Sequence, residues 1–326
     1  MPCSPARRLM VAACLAALAG TGLAQPAADW PVKSVRIIVP YAAGGPADIT
    51  AREIAQKLAT LTGQPFVVEN QGGGMGIPSL MAVARSDPDG HTLWMPALGN
   101  VVLQPLLSRN GGGEQLAKLR PLGMVTTSAY VLVVSTRLPV RTVQELVDYA
   151  RAHPGQLGFA SAGVGGTAHL GAELFKSLSG TEVVHVPYKG SAAAIGDLAS
   201  GRVGAMFSSL PSLQAAVDKG YVRVLAATAP STSPATRALP LMSATLTGFE
   251  YASWYAMYVP QQTPDAIVAR ANAVLQRALK APELAEKISL HGMEPLPTGP
   301  QEVATWVRRD RDKWGALIRE TGISLD

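Results

Sequence analysis

Short apolar runs alternate with stretches of helical periodicity along almost the whole chain. Val35–Val39, Phe66–Glu69, Thr92–Met95, Tyr130–Val134, Leu157–Ala160, Val183–Val186, Val203–Phe207 and Val222–Ala227 read as strands. Trp254–Val259 is a further strand with poorer alternation. Between them, Ala51, Ile54, Ala55, Leu58 and Leu61 form one helical stripe, and Leu170, Leu174 and Leu178 another. Such alternation predicts α/β layers built on largely parallel sheets. Thr142–Glu145 and Thr298–Gln301 have capping-box spacing, and Thr263-Pro264 predicts a proline at the first helical position. Two stretches read as crossings between domains, one around Val125–Arg137 and one near Thr245–Tyr258. The expected organisation is a first lobe of residues 30–127 plus 250–326, with residues 128–249 inserted as a second lobe.

Residues 1–24 are expected to be a cleavable signal peptide. Arg7 and Arg8 supply a basic start, Leu9–Leu18 an apolar run too short to span a bilayer, and Gly22-Leu23-Ala24 a small-residue cleavage site. The mature chain is therefore expected in the periplasm; the arginine pair leaves the Sec and twin-arginine routes open. A lipid anchor on Cys14 would cut the apolar run to about five residues, a poor match to such signals. Cys3 and Cys14 are the only cysteines, so loss of the leader removes disulfides, thiolate metal sites and a cysteine nucleophile together. About 300 residues bury a sufficient core without such staples.

The formal charge of +5 includes Arg7 and Arg8, so the mature chain carries +3. Its basic residues are scattered, and the densest cluster, Arg308-Arg309-Asp310-Arg311, is partly self-neutralised. No basic face with interleaved aromatics marks a nucleic-acid footprint. The string G-x-S-x-G is absent, and His91, His153, His169, His185 and His291 stand singly, without the spacing of a zinc site. No catalytic, metal or cofactor site is predicted. A secreted hydrolase or lyase using Asp48 and His169 is the competing class.

Two strand–loop–helix units carry the candidate chemistry. Val35–Val39 leads through Pro40-Tyr41-Ala42-Ala43-Gly44-Gly45 into a helix opening with Pro46, Ala47 and Asp48. Leu157–Ala160 leads through Ser161-Ala162-Gly163-Val164-Gly165-Gly166-Thr167 into the helix Ala168–Leu178. A helix start leaves amide hydrogens unpaired, and with the helix dipole it favours an anion. Neither loop has the spacing of a dinucleotide fingerprint or the lysine of a phosphate loop. One loop alone is weak evidence, but two loops, one per expected lobe, would converge on a single cleft and hold a carboxylate without lysine or arginine.

The segments PYAAGGPAD, PFVVENQGGGMG, SDPDGHTL, ASAGVGGTAHLGAELF, VVHVPYKGSAAAIGDLASGRV and SWYAMYVPQQTP, in that order along the mature chain, resemble the tripartite tricarboxylate transporter substrate receptors, also called Bug receptors. The resemblance implies a two-lobed Venus-flytrap fold, each lobe a mostly parallel sheet flanked by helices. It implies a monomeric receptor that binds a small carboxylate between the lobes, delivers it to membrane transporter subunits and, in some members, contacts a sensor kinase; a ligand-sensing adaptor for such a kinase is the alternative function. Carried over by motif, the ligand-binding residues are Tyr41, Ala43, Gly44, Gly45 and Asp48 on the first loop. On the second they are Ser161, Ala162, Gly165, Gly166 and Thr167, with His169 as a cleft donor. Three places depart from the pattern. Ala42-Ala43 stand where the family shows two prolines, and Asn100 stands where it often shows a Thr-His or Ser-His pair. Gly204 and Ser208 stand where its D-x-M-F-D pattern puts acids. Loss of both acids predicts a cleft suited to a more anionic or less amine-bearing ligand.

Overall fold

The computed structural model describes residues 29–73, 76–109, 112–188 and 190–325. The expected leader with its two cysteines, and also Gly111 and Lys189, lie outside the described residues. In chain order the elements of the first part are β1 (Val35–Val39), α1 (Pro46–Thr62), β2 (Phe66–Asn70), α2 (Ile77–Ala84), β3 (Thr92–Trp94), α3 (Gln104–Leu107), α4 (Gly113–Leu116) and β4 (Leu119–Ala129). A π-helical turn, Gly99–Leu103, runs directly into α3. The middle part holds β5 (Val131–Ser135), α5 (Val143–Ala152), β6 (Leu157–Ser161), α6 (Thr167–Ser179), β7 (Val183–Pro187), α7 (Ser191–Ser200), β8 (Ala205–Ser208), α8 (Leu210–Asp218) and β9 (Val222–Ala227). The chain ends with β10 (Ala252–Pro260), α9 (Asp265–Leu279), α10 (Pro282–Leu290), β11 (Glu294–Pro295) and α11 (Pro300–Thr321).

The strands form two sheets, ordered β11-β4-β10-β3-β1-β2 and β7-β6-β8-β5-β9. Parallel pairing is confined to β1 with β2 and β3, and to β6 with β7 and β8; the remaining pairs are antiparallel. The two strands that empty into the glycine loops, β1 and β6, are the ones paired in parallel on both sides. β1 lies between β2 and β3, with four of its five residues fully buried, which is why it reads as an apolar run interrupted only by the exposed Arg36. The stripe Ala51, Ile54, Ala55 and Leu58 of α1 packs into the same core as Val35, Ile37 and Val39. On α6, Leu170 and Leu174 are buried, whereas Leu178 at the end of its stripe is exposed.

β4 is absent from the sequence reading, which took its end for a crossing. Its string LRPLGMVTTSA contains Pro121 and Gly123 and does not alternate, and the register of its pairing with β10 shifts twice. Gly123 marks a close approach: a Cβ there would lie 2.6 Å from Asn272 Nδ2 and 2.8 Å from the Thr298 carbonyl. Asn272 uses that nitrogen to donate to the carbonyls of Leu122 and Thr298, tying α9 to the sheet. Caps also differ in part from expectation. Thr142 does accept from Glu145 N, but Gly299 rather than Thr298 caps α11, and Pro264 is the cap of α9 rather than its first helical residue.

The sheets meet where the chain passes between them. Thr228, after β9, donates its amide to the Tyr130 carbonyl at 2.8 Å and accepts from Tyr251 N at 3.0 Å. Its hydroxyl accepts from Tyr130 N at 2.9 Å and donates to the Tyr251 carbonyl at 2.7 Å. Tyr130 lies between β4 and β5, and Tyr251 immediately precedes β10, so one buried threonine laces both passages. Beside it, Trp254 Nε1 donates to Asp310 Oδ2 at 2.7 Å, anchoring β10 to α11.

Gly123→Ala is expected to destabilise the fold by about 1–3 kcal/mol, because one of the atoms it meets is backbone. A chemical denaturation midpoint unchanged from the parent would show that the approach relaxes freely.

Candidate functional site

The two glycine loops are built alike. Gly44 and Gly165 both adopt left-handed backbone, with φ of 82° and 73°. Gly45 and Gly166, the next residues, are the helix caps, with φ and ψ of −82° and 169°, and −77° and 165°. In each helix the third residue then reaches back four positions. Asp48 Oδ2 accepts from Gly44 N at 2.8 Å, and His169 Nδ1 accepts from Gly165 N at 3.0 Å. The parallel lies in the sequence itself, GGPAD against GGTAH. Intrahelical bonding begins with Ile49 N and Leu170 N, donating to the carbonyls of Gly45 and Gly166. The amides of Gly166, Thr167, Ala168 and His169 therefore precede it on α6, while Pro46 removes one such donor from α1.

Between the sheets lies a cleft of about 350 Å³, within the range of small-molecule sites. Its wall combines Ala162, Gly165, Gly166 and Thr167 of the second loop with Tyr41 of the first. Ser191 and Ser208 add hydroxyls, 3.2 Å from one another. Ser191 is the first residue of α7, whose cap is Gly190. No charged side chain lines this cleft among the described residues. Any anion here meets only neutral donors and the positive end of α6.

The other sequence-predicted residues stand behind or beside that wall. Ala43 and Gly44 are exposed, Gly45 is half-buried, and none of the three lines the cleft. Asp48 is buried; burial opposes its ionisation, but the Arg52 guanidinium, 2.9 Å away, with Gly44 N and Asn70, holds its carboxyl below the usual range. Asn100 Oδ1 accepts from the Tyr41 hydroxyl at 2.6 Å and from Ala97 N at 3.2 Å, so it orients the tyrosine that faces the cleft. Ser161 is fully buried, its hydroxyl 2.6 Å from His185 Nε2. His169 is also buried and off the cleft wall; in place of a cleft donor, the structure shows an acceptor for the loop's own amide.

The two departures near β8 separate. Ser208, at the C-terminal end of the strand, lines the cleft. Gly204 precedes the other end, and a Cβ there would lie 2.4 Å from Leu157 Cδ1 and 2.9 Å from Leu138 Cδ1. Four residues of strand span about 13 Å. Of the two positions, Ser208 alone lines the cleft.

Sequence reading missed the floor of the cleft. Tyr130, Ser253 and Tyr255 come from the crossing itself, and they also border a smaller chamber of about 60 Å³ lined by Pro46, Ser128, Ser209 and His291. Burial pushes the phenols of Tyr130 and Tyr255 above the ordinary tyrosine range, so both stay neutral donors at neutral pH. Gln104 and Leu325 complete the wall; Leu325 is held there by its amide, which donates to the Leu107 carbonyl at 2.8 Å. The available signal was the pair of tyrosines at the two crossings.

Among the described residues no group of three His, Asp or Glu side chains is placed to hold a metal ion, and no helix is long and apolar enough to cross a membrane.

Residues 50–323 match the model of the tripartite tricarboxylate transporter family receptor. A UPF0065 protein of Pseudomonas sp. (strain P51) is 32% identical over 96% of this chain and 94% of its own length. The R. palustris protein Rpa4515, solved with adipate, is 33% identical with a TM-score of 0.80, over 90% of this chain and 99% of the other. MatC from Rhodopseudomonas palustris, solved with bound malate, is 28% identical with a TM-score of 0.74, over 89% of this chain and all of the other (100%). The chain is a member of the tripartite tricarboxylate transporter receptor family of periplasmic solute-binding proteins.

Proposed function

We propose that this chain binds a small carboxylate in the cleft between its two sheets and delivers it to a tripartite tricarboxylate-type membrane transporter. The observation that carries this reading is the cleft wall itself, uncharged yet rich in donors and set at the N-terminus of α6. A carboxylate would receive the amides of Gly166, Thr167 and Ala168 with the Thr167 hydroxyl, while the hydroxyls of Ser191, Ser208, Tyr130 and Tyr255 serve the rest of the molecule. Each charge-assisted bond contributes about 1.5–3 kcal/mol gross. Three or four of them leave about micromolar affinity after association costs.

The ligands named for two relatives, adipate and malate, are both small dicarboxylates, which supports the class. Residues 30–127 with 250–326 would form one lobe and 128–249 the other. Ala43, Gly44 and Gly45 then sit at the rim of the first lobe, where closing would bring them over the ligand. Asp48 and Asn100 hold that rim and Tyr41 in shape. Closure is favoured by ligand only so far as the closed form binds more tightly. Export by the leader puts this exchange in the periplasm.

The test is a thermal-shift panel on the chain without residues 1–24, using malate, adipate, tricarboxylates, nicotinate and acidic amino acids. Ligand at 100 times its Kd adds about 2.7 kcal/mol, a rise of several degrees. A flat response from ligand-free protein across the panel would count against the carboxylate class. Gly166→Val, which keeps an ordinary backbone conformation but fills the wall, should abolish the shift while leaving the unliganded midpoint unchanged.

Ser208→Asp restores an acid to the cleft wall and is expected to weaken dicarboxylate binding about tenfold, roughly 1.4 kcal/mol. Isothermal titration checks this, and equal affinity for parent and variant would move the ligand away from Ser208.

A further inference from the structure

Behind the second glycine loop is a buried polar cluster outside the cleft wall. The His169 ring stacks on His185 with centroids 3.7 Å apart and planes 20° from parallel. His185 in turn meets Ser161 Oγ, which also bonds the backbone of Gly163 within the loop, donating to its carbonyl at 2.9 Å and accepting from its amide at 3.2 Å. A His169 Nδ1 that accepts from Gly165 N carries no proton, so the hydrogen of this imidazole is on Nε2. Nε2 faces Glu173 Oε1 at 3.9 Å, and Lys176 Nζ lies 3.6 Å from the other oxygen of that carboxylate. Burial lowers the pKa of both imidazoles, that of His185 to about 4, which keeps the pair uncharged at neutral pH.

The first loop does the same job with different charge. Asp48 holds Gly44 N, and Arg52, four residues on, compensates its carboxylate. At the second loop the residue four positions on is Glu173, so an acid at position 169 would stand against a second carboxylate, and the nearby cation, Lys176, is already paired with Glu173. The loop that forms the cleft wall is thus the one whose back-reaching side chain is neutral.

We propose that His169 is a positioning residue for the ligand: a neutral acceptor that fixes Gly165 in its left-handed turn, holds the amides of Gly166 to Ala168 open to the cleft, and places no negative charge beside the bound carboxylate. The inference rests on the carboxylate reading above. Gly165 is confined on its other side by Leu325 and Leu107, whose methyls would lie 2.9–3.0 Å from a Cβ there, so the turn has little room to re-form elsewhere.

Three variants separate the parts of this role. His169→Ala removes the acceptor and should weaken binding of malate or adipate, the probes used, by tenfold or more while speeding exchange of the Gly165 amide. His169→Asn supplies an uncharged oxygen and should restore affinity to within about threefold of the parent with Gly165 protected; Asp48 already shows that a side chain of this length reaches from the third helical position to the glycine amide. His169→Asp should protect Gly165 equally well yet bind the probes about tenfold more weakly than the Asn variant. Parent-like binding by the Ala variant, or failure of Asn to rescue it, overturns the positioning role. Equal affinity of the Asn and Asp variants overturns the charge argument. Should the Ala variant fail to fold, the Asn and Asp pair still makes the comparison. If the parent binds neither probe nor any of the wider panel, the carboxylate reading fails, and Gly165 amide exchange alone still decides whether His169 clamps the loop.

Discussion

A helix that begins at the mouth of a strand carries amide hydrogens it cannot pair with itself. This chain meets that constraint twice with one device: a left-handed glycine, a glycine cap, and a side chain at the third helical position that takes one amide back. The remaining amides are left in a fixed direction, which is what a binding surface needs and a mobile loop does not supply. The parallel strands exist to deliver these loops, and the antiparallel strands are organised around them.

The cleft follows from this economy of charge. Anion recognition by lysine or arginine brings a long side chain whose ordering costs entropy and whose charge must be neutralised when the site is empty. Backbone amides are already ordered by the fold. Tyr130, Ser253 and Tyr255 enter the wall because β4 ends and β10 begins at the junction between the sheets. Their phenols are buried deeply enough to remain protonated, so the wall stays uncharged over the range in which a carboxylate ligand is ionised.

Much of this was legible in the chain. β1 shows as an apolar run broken only by Arg36 because its other four residues are buried, and the glycine pairs show because only glycine takes a left-handed turn without cost. β4 was not legible, since Pro121, Gly123 and its bulged pairing erase the alternation that marks a strand. Nor was the direction of His169: periodicity places it on the first turn of α6, but whether the ring faces the ligand or the loop depends on His185, a partner from a different strand. Gly204 and Ser208 share one motif, yet only the strand's direction, with the cleft at its C-terminal end, tells which of them meets the ligand.

Thr228 sets a mechanical condition on all of this. One backbone pair and one hydroxyl join Tyr130 to Tyr251, so the two strands crossing between sheets are clasped at a single level rather than trailing as independent tethers. A joint clasped in this way has an axis: the sheets can swing about the threonine with its four hydrogen bonds intact, but sliding past one another would break them. Tyr130, whose backbone is itself bonded to the threonine, carries its ring into the cleft wall beside that joint. The placement of one hydroxyl group thus ties a residue of the cleft wall to the passage between the sheets.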